Sequence, residues 1–156
     1  MSNKIWEFTG ETKICLGGTL KRIRAAIEFN LKCGIAIAKG ELGGWIENES
    51  NLSGNAWVSG DAEVYGNALV CGNAWVCGNA EVKSSEDYCV YKNTWSSFRW
   101  FTYTKSNKMW SVGCFYGTGA ELIAKAYKDS EKSGKCYEAI VKAQEAIEKA
   151  MEKDNG

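Results

Sequence analysis

The chain has no histidine and no proline, and of its 19 basic residues only Arg22, Arg24 and Arg99 are arginine. Each scarcity removes a class of function. Without histidine there is no Ser-His or Cys-His nucleophilic pair, and both the usual general base and the commonest zinc ligand are missing. Charge of either sign is not in excess either. The 19 basic residues are matched by 19 acidic ones, which argues against a protein whose main task is direct gripping of nucleic acid through phosphates. No apolar run approaches the length of a membrane span, and the start, MSNKIWEFTG, lacks the apolar core of a signal peptide. The expectation is a cytoplasmic protein with no membrane association. Cysteine is plentiful, with seven residues, but no C-x-x-C pair occurs, so zinc ribbons and thioredoxin-like dithiols lack their signature. The expected thiols are reduced and behave mostly as small hydrophobes.

What the chain does have is internal periodicity. From Ser53 it reads SGNAWV, SGDAEV, YGNALV, CGNAWV, CGNAEV without a gap, ending at Val82. In every hexad the second residue is Gly, the third Asn or Asp, the fourth Ala and the sixth Val. The frame extends backwards to Leu52 and Ile46 and forwards to Tyr88. Ala and Val alternate with one outward residue, as on a short strand, so both face a core. The Gly-Asn corner tolerates positive φ and turns the chain between strands. Val58, Val64, Val70, Val76 and Val82 are therefore expected to be buried.

The pattern resembles the hexapeptide repeat of left-handed parallel β-helices, in which three hexads form one coil of eighteen residues. One departure is that the glycine stands two places after the aliphatic, where many members have it immediately after. The resemblance implies that residues 18 apart stack at about 4.8 Å. Trp57 would then lie beneath Trp75, Glu63 beneath Glu81, and Cys71 near Cys89, with Leu69 on a third face. Outward tryptophans need a cover, so Trp57, Trp75 and Leu69 are interface candidates. Either the chain's own C-terminal segment or a second subunit could cover them.

The flanks read differently. Residues 20–29 alternate, with Ile23, Ala25, Ile27 and Phe29 on one side and Arg22, Arg24 and Glu28 on the other, which suits a strand, though Leu20, Ile23 and Ile27 also suit a helix. Arg22 and Arg24 would share a face, either solvated or anion-binding. After Asp87 an aromatic segment alternates from Phe98 to Thr104 and turns at residues 105–108, as a β-hairpin does. Thr118 followed by Glu121 forms a capping box, so a helix should run from Gly119 to about Asp129. A second amphipathic helix is expected after Gly134, with Tyr137, Ile140, Val141, Gln144, Ile147 and Met151 on one side, and the last residues read as a frayed tail.

The stretches EFTGETK, TLKRIRA, KGELGGWIENESNLSGNA and GCFYGTGAELIAKA together resemble small hexapeptide-repeat accessory proteins of phages and prophages from Firmicutes-type bacteria. The resemblance covers nearly the whole chain, is poorest at residues 35–39 and 83–95, and brings no activity or catalytic residue with it. The implied architecture is a β segment over residues 1–40, a short left-handed parallel β-helix over 41–88, and a β-hairpin with two helices over 89–156. Hexapeptide-repeat acyltransferases and carbonic anhydrases depend on histidines that this chain does not have, and no P-loop motif is present, so neither catalysis nor a cofactor or metal is expected. Three readings remain. A homo-oligomer, with a trimer favoured, could sequester a small nucleotide-like immune signal of the host using Arg22, Arg24, Arg99, Trp100 and Tyr103. It could instead dock on and block a host defence enzyme, such as a CRISPR or nucleotide-signalling effector, through its tryptophan-rich surface, or it could be a structural, virion-associated oligomer.

Overall fold

The computed structural model describes residues 4–15 and 18–154. Strand β1 (Trp6–Cys15) and strand β2 (Gly18–Ala25) form an antiparallel pair whose register shifts between Phe8 and Thr12, around Gly10 at φ 98°. Two short strands, β3 (Phe29–Asn30) and β4 (Ala36–Ile37), pair with each other, and β5 (Leu42–Ile46) pairs antiparallel with β2. The hexads supply two-residue strands: β6 (Trp57–Val58), β7 (Glu63–Val64), β8 (Trp75–Val76) and β9 (Glu81–Val82).

These strands keep an eighteen-residue register. Trp45 pairs with Glu63 and Glu63 with Glu81 across β5, β7 and β9, Trp57 pairs with Trp75 across β6 and β8, and Leu52 bridges Val70, all in parallel. Backbone N–H groups of Trp57, Ser59, Glu63 and Tyr65 donate to Ala74, Val76, Ala80 and Val82 at 2.9–3.0 Å. The second-position glycines Gly54, Gly60, Gly66, Gly72 and Gly78 all turn at φ 64–66°, a region that strains side chains with a Cβ. All five repeat valines and the five repeat alanines are buried in one core together with Ile23, Ile46, Leu52 and Trp57.

The chain is nevertheless not a left-handed parallel β-helix. The parallel β5–β7–β9 ladder is continued antiparallel by β2 and β1 into one five-stranded mixed sheet, and among the described residues no sheet is closed or a solenoid. A two-residue strand forms few ladder hydrogen bonds, so the flanking strands take part in the sheet and decide its type.

Beyond the repeat, β10 (Tyr88–Lys92), β11 (Trp100–Thr104), β12 (Met109–Val112) and β13 (Phe115–Thr118) form an antiparallel sheet in that order. The anticipated hairpin is β11 and β12. Helix α1 (Gly119–Asp129) begins at the Thr118–Glu121 capping box, with the Thr118 hydroxyl accepting from the Glu121 N–H at 3.2 Å. Helix α2 (Glu131–Asp154) starts before Gly134 rather than after it. Gly134 lies within the first turns of α2, and the Tyr127 ring packs so close that a Cβ there would be 2.3 Å from it, which leaves room for no side chain. Nor is the last segment non-helical, since α2 runs on to Asp154. Phe101, Tyr103, Trp110, Leu122, Ala126, Tyr137 and Val141 make a second core between this sheet and the helices.

Val70 lies in the first core with no space or partner for charge, whereas its neighbour Leu69 is 39% exposed. Val70→Asp should cost about 4 kcal/mol or more and abolish cooperative folding, while Leu69→Asp should change stability by no more than about 0.5 kcal/mol. Urea denaturation followed by circular dichroism checks both.

Candidate functional site

The outward tryptophans are not free surface. Trp57 is completely buried: Phe29 meets its ring edge-on at 5.3 Å, and Gly43 lies so close that a Cβ there would be 3.0 Å from Trp57 Cη2. Its indole nitrogen is buried without a hydrogen-bond partner among the described residues. Trp57 is thus withdrawn as an interface candidate, because the N-terminal segment covers it. Trp75 is half-buried by the C-terminal region, with its backbone N–H donating to Thr102 Oγ1 at 2.9 Å and its Nε1 to Ser59 Oγ at 2.8 Å. Leu69 alone of the three is exposed. Cys71 and Cys89 are both free thiols, as are the other five cysteines. Tyr88 reaches back to this turn, and its hydroxyl lies 3.9 Å from Cys71 Sγ.

The five residues considered for ligand binding do not converge on one place. Arg22 and Arg24 point from β2 into local partners. Arg22 lies 5.4 Å from the Trp45 ring, donates to the Gly43 carbonyl and faces Glu11 at 3.9 Å, while Arg24 pairs with Glu7 at 2.7 Å. Tyr103 is buried and donates to both carboxylate oxygens of Glu148, at 3.0 and 3.2 Å. It has no face to offer a stacking base at the Arg99 side. Arg99 and Trp100 are the pair that the fold does bring together.

The segment between β10 and β11 positions them. Asn93, buried, accepts the backbone N–H groups of Trp95 and Ser96 at 3.0 and 2.9 Å, and donates to Tyr137 Oη at 3.2 Å. This is the side chain–backbone bonding by which asparagine shapes a turn. Trp95 packs edge-on against Tyr137 at 4.8 Å and donates to Ser133 Oγ, which fastens the loop to α2. The chain then passes through Phe98, a non-glycine residue at φ 58° whose side chain is 63% exposed. A phenylalanine in the left-handed region costs of order 1–2 kcal/mol, and strain of this kind concentrates at functional sites. Arg99 follows, exposed, with no carboxylate partner among the described residues. Trp100 is half-buried, its N–H bonded to the Lys32 carbonyl at 3.1 Å and its ring facing Lys92 Nζ at 5.7 Å.

Beside them opens a cavity of about 250 Å³, lined by Arg99, Trp100, Asn93, Ser96, Ser97 and Ser133, with Cys33 and Asp129 at its wall. Burial pushes the Cys33 thiol up, only partly offset by its backbone hydrogen bonds and by Arg99, so it is not an activated nucleophile. Asp129 is tied to Lys125 at 3.5 Å. The arrangement offers a guanidinium, hydroxyls and an aromatic edge, which is recognition chemistry for an anionic group attached to a flat ring. Among the described residues no cluster of three or more Cys, Asp and Glu side chains could hold a metal ion, and no helix is long and apolar enough to cross a membrane.

Comparison with protein-family models, with curated proteins and with solved structures finds no match to this chain. The geometry therefore stands by itself. The sequence reading missed two participants. Phe98 carried the exposed member of an aromatic alternation, but nothing in the alternation signals its positive φ. Glu148 lay in plain view, since Tyr137, Val141, Gln144 and Glu148 follow the helical spacing of one face and all four are buried. Its apolar neighbour Ile147 is instead 47% exposed, the reverse of what polarity alone implies.

The phenols of this second core titrate late. Burial first, then the nearby Cys89 and Glu148, push Tyr91 up to about 12, and burial followed by the bond to Glu148 raises Tyr103. In the unfolded chain these phenols ionise near the ordinary value of about 10. The stability tied to their neutral form is complete below that value and is lost as pH climbs from about 10 to about 12. Tyr91→Phe should make the fall of urea stability across that window shallower than in the parent protein, and an unchanged slope would contradict this.

Proposed function

We propose that the protein is a non-enzymatic, phage-encoded accessory factor of the host cytoplasm that sequesters a small, anionic, nucleotide-like immune signal of the host, and that it acts as a homo-oligomer, with a trimer favoured. The observation that carries this reading is the Arg99 guanidinium, packed over Gly34 and without a carboxylate partner among the described residues, which lines a hydroxyl-bearing cavity together with Trp100. Arg99 and the serine hydroxyls suit phosphate oxygens. Trp100 suits a base, and Lys92 Nζ, 5.7 Å from the Trp100 ring, adds positive charge beside it. The missing histidine, with the Cys33 thiol pushed up by burial, favours holding the ligand over converting it. Sequestration needs affinity without turnover, and a rigid, pinned loop reduces the ordering cost of binding.

Phe98 gives a second reading its own support. An exposed aromatic in a strained conformation, next to an arginine and a tryptophan, has the composition of a protein-docking anchor, which fits a factor that blocks a host defence enzyme directly.

Native mass spectrometry of protein purified from cells with an active nucleotide-signalling defence separates the two. Sequestration predicts an oligomer with extra mass in the nucleotide range, released on denaturation and lost in Arg99→Ala and Trp100→Ala. A clean oligomer from those cells, with a host protein co-purifying instead and released by Phe98→Asn, would overturn sequestration in favour of docking. Asparagine tolerates the left-handed region, so Phe98→Asn should leave the fold at least as stable.

A further inference from the structure

A second cavity, of about 460 Å³, lies at the other end of α2 and shares none of its lining residues with the Arg99 site. Its lining carries groups of opposite polar character. Among them is Glu148, only 8% exposed, whose two oxygens share one donor among the described residues, the Tyr103 hydroxyl. No lysine or arginine pairs with it among the described residues. An ionised carboxylate has room for about four hydrogen bonds, and a buried one without a counter-ion is costly. Glu145 stands three residues away on the same helix, exposed at the rim.

Others of the lining groups are donors. In α1 the Thr118 hydroxyl takes the Glu121 N–H, and the N–H groups of Gly119 and Ala120, in the first turn, have no intrahelical acceptor. Beside them is Trp110, 2% exposed as a residue, whose indole N–H makes no hydrogen bond among the described residues yet is not sealed from solvent, so it opens onto the cavity. A Cβ on Gly119 would sit 3.4 Å from Trp110 Nε1 and 2.8 Å from Val141 Cγ1, so the glycine keeps this corner open. Lys108 stands at the same cavity.

A simple anion would satisfy the donors but meet Glu148, and a simple cation would satisfy Glu148 but leave the donors bare. We propose that this cavity binds a free amino acid as its zwitterion, with the carboxylate at the first turn of α1 and the Trp110 N–H, and the ammonium at Glu148 with Glu145 behind it. The raised titration of Tyr103 keeps its phenol protonated and donating to Glu148, which holds the carboxylate in place for the ammonium. The volume falls within the range of small-molecule sites.

Isothermal titration of the full chain with each of the twenty free amino acids at millimolar concentration tests this. At least one should bind saturably, and binding should weaken at least about tenfold, the equivalent of about 1.4 kcal/mol, in Glu148→Gln, which is nearly isosteric and retains an acceptor for Tyr103. The same amino acid as its primary amide, or with the amino group replaced by hydrogen, should also bind at least about tenfold more weakly. Arg99→Ala and Trp100→Ala should leave binding unchanged. No binding by any amino acid, equal binding of the amide, or unchanged binding in a folded Glu148→Gln would overturn the proposal. Should Glu148→Gln fail to fold, the amide and deaminated ligands decide it on the parent protein.

Discussion

Everything in this molecule rests on the inward alternation of alanine and valine at a spacing of six, which fixes a register of eighteen. Once Val58 sits over Val76 and Val64 over Val82, a slip of one residue would bring Glu63 or Leu69 into the core and send the valines out. The glycines at φ 64–66° turn every corner alike, so the register repeats without drift. Asn51 fastens the first layer: buried, it accepts the Asn48 N–H at 2.7 Å and donates to the carbonyls of Gly66 and Ala68. A buried amide that meets these backbone groups leaves little polar cost behind.

The repeat also provides the surfaces on which the flanks dock. The N-terminal strands extend its ladder on one side and close over Trp57. On another side β11 lies against β8, with Thr102 bonded to the Trp75 N–H. That contact orients the C-terminal sheet, and with it α2, whose buried face runs from Tyr137 to Glu148. The two candidate sites are at opposite ends of this face. Near Tyr137 the helix anchors the loop that presents Phe98, Arg99 and Trp100. Near Glu148 it forms one wall of the polar cavity at the start of α1.

Local chemistry made part of this legible in the sequence. The hexads announce which side chains are buried, because small-aliphatic alternation and Gly-Asn corners leave no other arrangement. The capping box places the start of α1 at Gly119, and the aromatic alternation places the hairpin. Long-range pairing was another matter. Nothing in Trp57–Val58 or Glu63–Val64 states whether the next strand beside the ladder is parallel or antiparallel, so the mixed sheet could not be read from the repeat. Coverage is equally silent. Trp57 and Leu69 hold equivalent outward positions in their hexads, yet one is sealed by Phe29 and Gly43 and the other faces solvent. In β11 both faces are covered, since Thr102 and Thr104 are buried along with Phe101 and Tyr103. Alternation there could not tell a stacking surface from a core, and Tyr103 lies in the core, on the side away from Arg99. The arginines differ for a similar cause: Glu7 and Glu11 reach Arg22 and Arg24 only because β1 folds back on β2.

The eighteen-residue register is the claim on which the placement of both sites depends, and nuclear Overhauser contacts between backbone protons report it directly. Parallel pairing should give cross-strand contacts between Trp57 and Trp75, between Trp45 and Glu63, and between Glu63 and Glu81, with slow amide exchange at Ser59, Glu63 and Tyr65. Contacts at any other separation within the repeat, or fast exchange at those three amides, would contradict the account.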